Sequence, residues 1–179
     1  FIVTFGHPIF FIFMHIVYHL GLHIFKLLLY IVSPFNARAK KWIHGRQDLF
    51  KQISEKLIEK EKRIWIHAAS LGEFEQGRPV IEALKKQASQ FTIVLTFYSP
   101  SGYEIRKNYE MADYVFYLPL DTKRNAKKFI NLVKPEFVIF IKYEFWRNFL
   151  ISLQEQKIPI YLISSIFRED QLFFKWYGK

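Results

Sequence analysis

The hydrophobic pattern splits the chain into an apolar head and an alternating body. Residues 1–25 contain no Lys, Arg, Asp or Glu, and Leu27 to Val32 continue the apolar span past Lys26. A membrane-crossing helix needs about 20 mostly apolar residues, so the length suffices. A cleaved signal peptide fits poorly, because a basic leading region and a small-residue cleavage site are both missing. Pro34 and Asn36 end the span. Residues 48–62 then read as an amphipathic helix with Leu49, Phe50, Ile53, Leu57 and Ile58 inward. From Ile64 the run Ile-Trp-Ile-His-Ala reads as a buried strand, broken by Ser70 and Gly72. Phe74, Val80, Ile81 and Leu84 fall at helical spacing between Glu73 and about Gln87. Further strands are predicted at 91–96, 114–121, 137–141 and 159–164, with a helix over 125–133. The continuous apolar strand at 137–141 suits a sheet covered on both faces.

Strand and helix alternate at short intervals, which predicts an α/β fold: a doubly wound parallel sheet with helices on both faces and right-handed crossovers. The expected organisation is a membrane-anchor helix at 1–33, a basic juxtamembrane segment with an amphipathic helix at 34–63, and the sheet domain at 64–179.

Charge sharpens this division. The 179 residues carry a formal charge of +10, and 51% are hydrophobic. Nucleic acid, an anionic membrane surface and a phosphorylated substrate would each suit such a balance. Arg38, Lys40, Lys41 and Arg46 follow the apolar span directly, with Trp42 among them and no acid before Asp48. Cations just past a membrane helix mark its cytoplasmic side and attract anionic headgroups; a solvated basic loop is the alternative. Nucleic acid is not expected, since no zinc-ligand pattern, helix-turn-helix or ribonucleoprotein motif accompanies the charge. The chain has no Cys, which excludes disulfides and thiolate metal sites. His15, His19 and His23 share one helical face. That face reads as a metal-binding set or as a polar stripe toward headgroups or a neighbouring helix. The stripe also admits a helix lying in the interface.

Candidate chemistry sits where strands give way to helices. In an open α/β sheet the ligand crevice lies beyond the carboxyl ends of the strands. Glu73 occupies such a junction, at a helix N-terminus whose dipole favours the ionised carboxylate, as a general base requires. After the second strand, Ser99, Ser101 and Gly102 frame a turn with Pro100. Its free amides make an anion site or a plain capped turn, with Ser101 as the candidate cap. Asp121 and Thr122 look like a helix start. Lys123, Arg124, Lys127 and Lys128 form a polar face that is either solvated or turned to phosphates. Glu144 follows the fourth strand; capping the next helix is its bland reading. Neither a G-x-G-x-x-G motif after the first strand nor a GxxxxGK[ST] loop occurs, and no nucleophile elbow is present. A dinucleotide-binding domain and a P-loop are therefore unsupported.

Several of these segments also carry a resemblance. His-Ala-Ala-Ser-Leu-Gly-Glu at 67–73 resembles the signature of the Kdo transferases, which add 3-deoxy-D-manno-octulosonic acid to the lipid A precursor. Arg46 to Phe50, the Ser-Pro-Ser-Gly turn at 99–102, Tyr-Leu-Pro-Leu-Asp at 117–121 and Glu144, Trp146 and Asn148 are similar to further family segments in the same order. Lys142 and Arg147 depart from the commonest pattern, where an acid and a proline stand. Residues 164–170, with Arg168, match a later segment loosely.

The resemblance runs from about residue 24 onward and implies the front half of a two-domain, Rossmann-like GT-B glycosyltransferase. It implies that Glu73 is the general base, taking a proton from a glucosamine 6-hydroxyl of the lipid acceptor in an inverting transfer from CMP-Kdo. Glu144 becomes the supporting acid, while Ser70, Gly72, Ser99, Ser101 and Gly102 support or bind the acceptor. The donor-binding C-terminal domain is expected to lie outside this chain, which alone would be inactive. No metal or cofactor is implied; CMP-Kdo is a substrate. The partners are the lipid A precursor and inner-membrane lipids, with the sheet domain facing the cytoplasm. The rival readings are another membrane-associated GT-B enzyme and a non-catalytic, membrane-tethered binding domain.

Overall fold

The computed structural model describes residues 8–59 and 61–165. In chain order these form α1 (Pro8–Val32), α2 (Ala37–His44), α3 (Leu49–Lys56), β1 (Arg63–Ala68), α4 (Leu71–Gln87), β2 (Thr92–Phe97) and α5 (Pro100–Arg106). There follow β3 (Tyr114–Tyr117), α6 (Lys123–Val133), β4 (Pro135–Ile141), α7 (Arg147–Glu155) and β5 (Ile160–Ile163). The five strands are all parallel, in the order β3-β2-β1-β4-β5. The predicted α/β architecture is thus observed, and the strand order reverses between β1 and β4, the place where such sheets open a crevice.

Side chains alternate along the central strands and so divide the core in two. Ile64, Ile66 and Ala68 of β1 pack with Phe74 and Ile81 of α4 and with Phe97. Trp65 points the other way, into Phe129 of α6, Phe149 of α7 and Phe140 of β4. All six residues of β1 are buried, as a strand covered on both faces requires.

One helix is additional to those expected, and two local expectations are corrected. The basic segment after α1 is a helix, α2: the Asn36 side chain accepts the Arg38 and Ala39 amides, and Ala39, Trp42 and Ile43 form its buried face. The helix expected over 48–62 ends at Lys56, with Leu57 extended and Ile58 exposed. The cap of α5 is Ser99, whose hydroxyl accepts the Ser101 amide, with Pro100 at the first helical position. In α4, Val80 is exposed although Phe74 and Ile81 are buried. Arg168 and most of the 164–170 segment lie outside the described residues.

Candidate active site

The crevice forms at the C-terminal ends of β2, β1 and β4. Ser70 is the N-cap of α4, but its hydroxyl makes no capping bond. The first turn is closed instead from Glu73, three residues on, whose Oε2 accepts the Ala69 N–H at 2.7 Å. The amide it reaches precedes the N-cap, so the contact is shifted by one residue from the reciprocal half of a capping box. Gly72, between them, has open space where a side chain would stand. The loop after β2 is tied to the same turn, since the Ser99 N–H donates to Ala69 O at 2.7 Å. Ser99 and Ser101 hydroxyls lie 3.0 Å apart. Gly102 has a packing reason: a Cβ there would stand 2.3 Å from Cδ1 of the buried Phe97 ring.

Glu144 arrives from β4. The chain leaves that strand through Lys142, held in the left-handed region at φ 66°, which a side-chain-bearing residue rarely adopts. Glu144 Oε2 accepts the Trp146 indole N–H at 2.6 Å. The same N–H lies 3.2 Å from His67 Nε2, and Glu144 Oε2 stands 3.4 Å from that nitrogen. The other ring nitrogen of His67, Nδ1, faces Thr96 Oγ1 at 2.8 Å and Thr96 O at 3.1 Å. Thr96 in turn accepts the Trp65 indole N–H at 2.7 Å. A fully buried polar chain therefore supports Glu144 from beneath the sheet end.

Electrostatics single out Glu73. Burial pushes its carboxyl above the ordinary carboxylate range, and the nearby Glu144 carboxylate adds to this. The Ala69 amide, His67 and the Ser70 amide pull the other way without overcoming it. The helix dipole alone predicts a firmly ionised acid; desolvation and a like charge oppose it. The result is a better proton acceptor than a surface carboxylate. No cation pairs with Glu73 among the described residues.

Sequence reasoning gave His67, Tyr98, Arg46 and Asp121 no part in the site. Arg46 is half-buried, its guanidinium lying over the Trp42 ring at 3.9 Å and donating to Leu118 O, Trp42 O and Tyr98 O. Burial pulls its pKa down to about 9, so it remains a cation at neutral pH. It locks α2 to the loops after β2 and β3. The Tyr98 ring packs tilted against Trp146 with centroids 4.5 Å apart, and burial pushes its hydroxyl up to about 12. Asp121 does not start α6, which Thr122 caps. It reaches across to the N-terminus of α7, accepting the Asn148 and Phe149 amides, each at 3.0 Å. A cavity of about 670 Å³ lies beside the crevice, between α1, α2 and the start of α6, with Lys26, Trp42, Arg46 and Leu120 in its wall. Among the described residues no cluster of His, Asp and Glu could hold a metal. His15 and His19 meet edge-on with ring centroids 4.3 Å apart, and Arg147 donates to His15 Nδ1 at 2.8 Å.

A Rossmann-type parallel sheet with two carboxylates at its reversal point defines a class: an α/β domain built to hold a ligand beyond the ends of β1 and β4. Within that class, the family profile described as 3-deoxy-D-manno-octulosonic-acid transferase (kdotransferase) matches residues 43–177. The chain belongs to this family. A 3-deoxy-D-manno-octulosonic acid transferase of Aquifex aeolicus is 34% identical over 98 residues, covering 54% of this chain and 27% of that protein. One from Haemophilus influenzae is 31% identical over 103 residues, covering 57% and 24%. A bifunctional glycosyltransferase/methyltransferase of Fusobacterium nucleatum is 24% identical over 143 residues, 78% of this chain and 22% of its own length. The chain thus spans about a quarter of the length of the curated relatives it matches.

Proposed function

We propose that this chain is the acceptor-side part of a glycosyltransferase that moves Kdo from CMP-Kdo to the lipid A precursor in lipopolysaccharide synthesis. On this reading residues 1–33 anchor the enzyme to the inner membrane, 34–63 form a basic collar on the cytoplasmic side, and 64–179 bind the acceptor. A donor-binding domain would follow in the whole protein. Family membership supports the chemistry at this level, and one observation carries the site: Glu73, at the mouth of β1, is a half-buried carboxylate raised in basicity, with no cationic partner among the described residues. Its Oε2 accepts the Ala69 amide, and the carboxylate keeps further lone-pair capacity for a sugar hydroxyl. As the acceptor oxygen bonds to the Kdo anomeric carbon, its proton passes to Glu73. The bond from that carbon to the CMP phosphate oxygen breaks, and CMP leaves with the electron pair. Ser70 and the Ser99–Ser101 turn stand ready to orient the acceptor, and Glu144 to orient it or to hold up the basicity of Glu73.

The test is Glu73→Gln in the full-length enzyme, assayed with CMP-Kdo and a lipid IVA acceptor. The amide oxygen can still accept the Ala69 N–H, so the cap survives while the base is lost. Turnover is expected to fall about 10²–10⁴-fold, the usual contribution of a general base. Stability at neutral pH should not fall, because the substitution also removes a carboxylate whose ionised form burial penalises. Unchanged turnover would reduce Glu73 to a helix cap.

A further inference from the structure

The stretch of α1 that is long and apolar enough to cross a membrane is Met14–Val32. We propose that this stretch does not cross: it lies in the plane of an anionic bilayer surface, clamped along one face to the α/β domain beside the crevice.

The clamp is specific. Arg147 donates to His15, Tyr18 OH donates to Asp121 Oδ2 at 2.5 Å, and Phe25 packs edge-on to Trp42 and stacks with Tyr98. Leu22 and Leu29 pack on Trp42, Ile43 and Leu120. Positions 15, 18, 22, 25 and 29 alternate by three and four and so share one helix face. Their partners Arg147, Asp121 and Tyr98 all follow strand ends, so α1 runs along the edge of the sheet where Glu73 and Glu144 stand. A helix crossing the bilayer with these contacts intact would carry the Asp121 carboxylate and the Arg147 guanidinium into hydrocarbon, which charged groups avoid.

The opposite face fits a lipid surface. Val17, Leu20, Ile24, Leu27 and Ile31 repeat at the same spacing and are all exposed. Phe35, in the turn to α2, is 92% exposed. The exposed cations Arg38, Lys40 and Lys41 of α2 follow it within six residues. Aliphatic residues and an aromatic tip followed by cations complement a bilayer rich in anionic headgroups. The geometry then sets the crevice at headgroup depth, whatever the acceptor proves to be.

The chain contains no Cys, so single-cysteine reporters can be placed without background from it. A bimane label at each of Val17, Leu20, Ile24, Leu27 and Ile31 in the full-length protein would be read in phosphatidylethanolamine–phosphatidylglycerol vesicles, with lipids carrying quenchers at two depths. An in-plane helix gives one shallow depth at all five positions. Depth that passes through the midplane near Ile24 and returns toward the far surface would overturn the proposal. So would labels that neither quencher reaches, since protein would then cover the face. In parallel, Lys40→Gln with Lys41→Gln should weaken vesicle binding about 10–30-fold, from roughly 1 kcal/mol for each cation near an anionic surface. Equal binding to neutral phosphatidylcholine vesicles would contradict the electrostatic half.

Discussion

Removing the Asp121 carboxylate should unfasten α1 and α7 together. Asp121 is fully buried and accepts three hydrogen bonds: from the Asn148 amide, the Phe149 amide and the Tyr18 hydroxyl. Asp121→Ala orphans two amides of the first turn of α7 and one hydroxyl. Each bond to a charged acceptor contributes about 1.5–3 kcal/mol, but the sum is offset by relief of the buried carboxylate itself. A net loss of about 3–4 kcal/mol is therefore expected, a large share of the ~5–15 kcal/mol that holds a domain of this kind. Asp121→Asn keeps one acceptor oxygen but turns its NH2 toward an amide donor, which should cost about 1–2 kcal/mol. Tyr18→Phe removes one donor to the charged acceptor but leaves no buried donor unpaired, and should cost about 1.5–3 kcal/mol. Urea titration followed by tryptophan fluorescence measures the series, with Trp65 and Trp146 reporting on the same side of the sheet. An Asp121→Ala loss below about 1 kcal/mol would refute the capping argument.

The same series has a pH signature with a definite sign. Burial is the largest influence on the Asp121 carboxyl and raises it above its ordinary value near 3.8, despite the bonds from Tyr18, Asn148 and Phe149. Between those two values the folded protein keeps a proton that the unfolded chain has lost. Stability therefore falls as pH rises through that window, and the penalty persists at neutrality. Asp121→Asn lacks this dependence. The advantage of the native protein over Asp121→Asn should widen from pH 7 toward acid, and a gap that narrows would show that hydrogen bonding outweighs desolvation.

Glu144→Gln should move the acid limb of kcat/KM to lower pH, because it removes the like charge that helps hold the Glu73 carboxyl up; a limb that stays put would detach Glu144 from the base. The two candidate glycines should behave oppositely. Gly102→Ala, forced against the Phe97 ring, is expected to cost about 1–2 kcal/mol by thermal or urea unfolding, the overpacking penalty less the helix-propensity gain. Gly72→Ala, with nothing within 4 Å, should be neutral or slightly stabilising; any loss of turnover would then reflect the approach of a ligand.

The strands were legible because the sheet is covered on both faces, which leaves uninterrupted apolar runs such as Phe137 to Ile141. The helix α2 was harder to see. Its outward residues are so basic that the spacing of Ala39, Trp42 and Ile43 was hidden in a charge cluster, although Asn36 was a readable cap. Asp121 misled for a different reason. It stands directly before a helix start, where a local cap is the ordinary expectation, yet its bonds go to a helix 27 residues along the chain. His67 could be quoted from the signature, but its partners Thr96, Glu144 and Trp146 come from two other strand ends, which no spacing reveals.

What the sequence lacked, then, was adjacency. Glu73 and Glu144 each follow a strand and precede a helix, and each alone has an adequate explanation as a helix-end acid. Only the order β2-β1-β4 sets their two loops side by side and makes one carboxylate a determinant of the other's proton affinity. The His67–Trp146 contacts then fix Glu144 from below, so its charge is held in place rather than swinging into solvent. A cap needs an acceptor oxygen and gains from being ionised; a base in a crevice needs its ionised form to be mildly unfavourable. Glu73 meets the first need through one oxygen and the second through burial and its neighbour. That division of labour within a single side chain is why replacing it by Gln, rather than Ala, separates scaffold from chemistry.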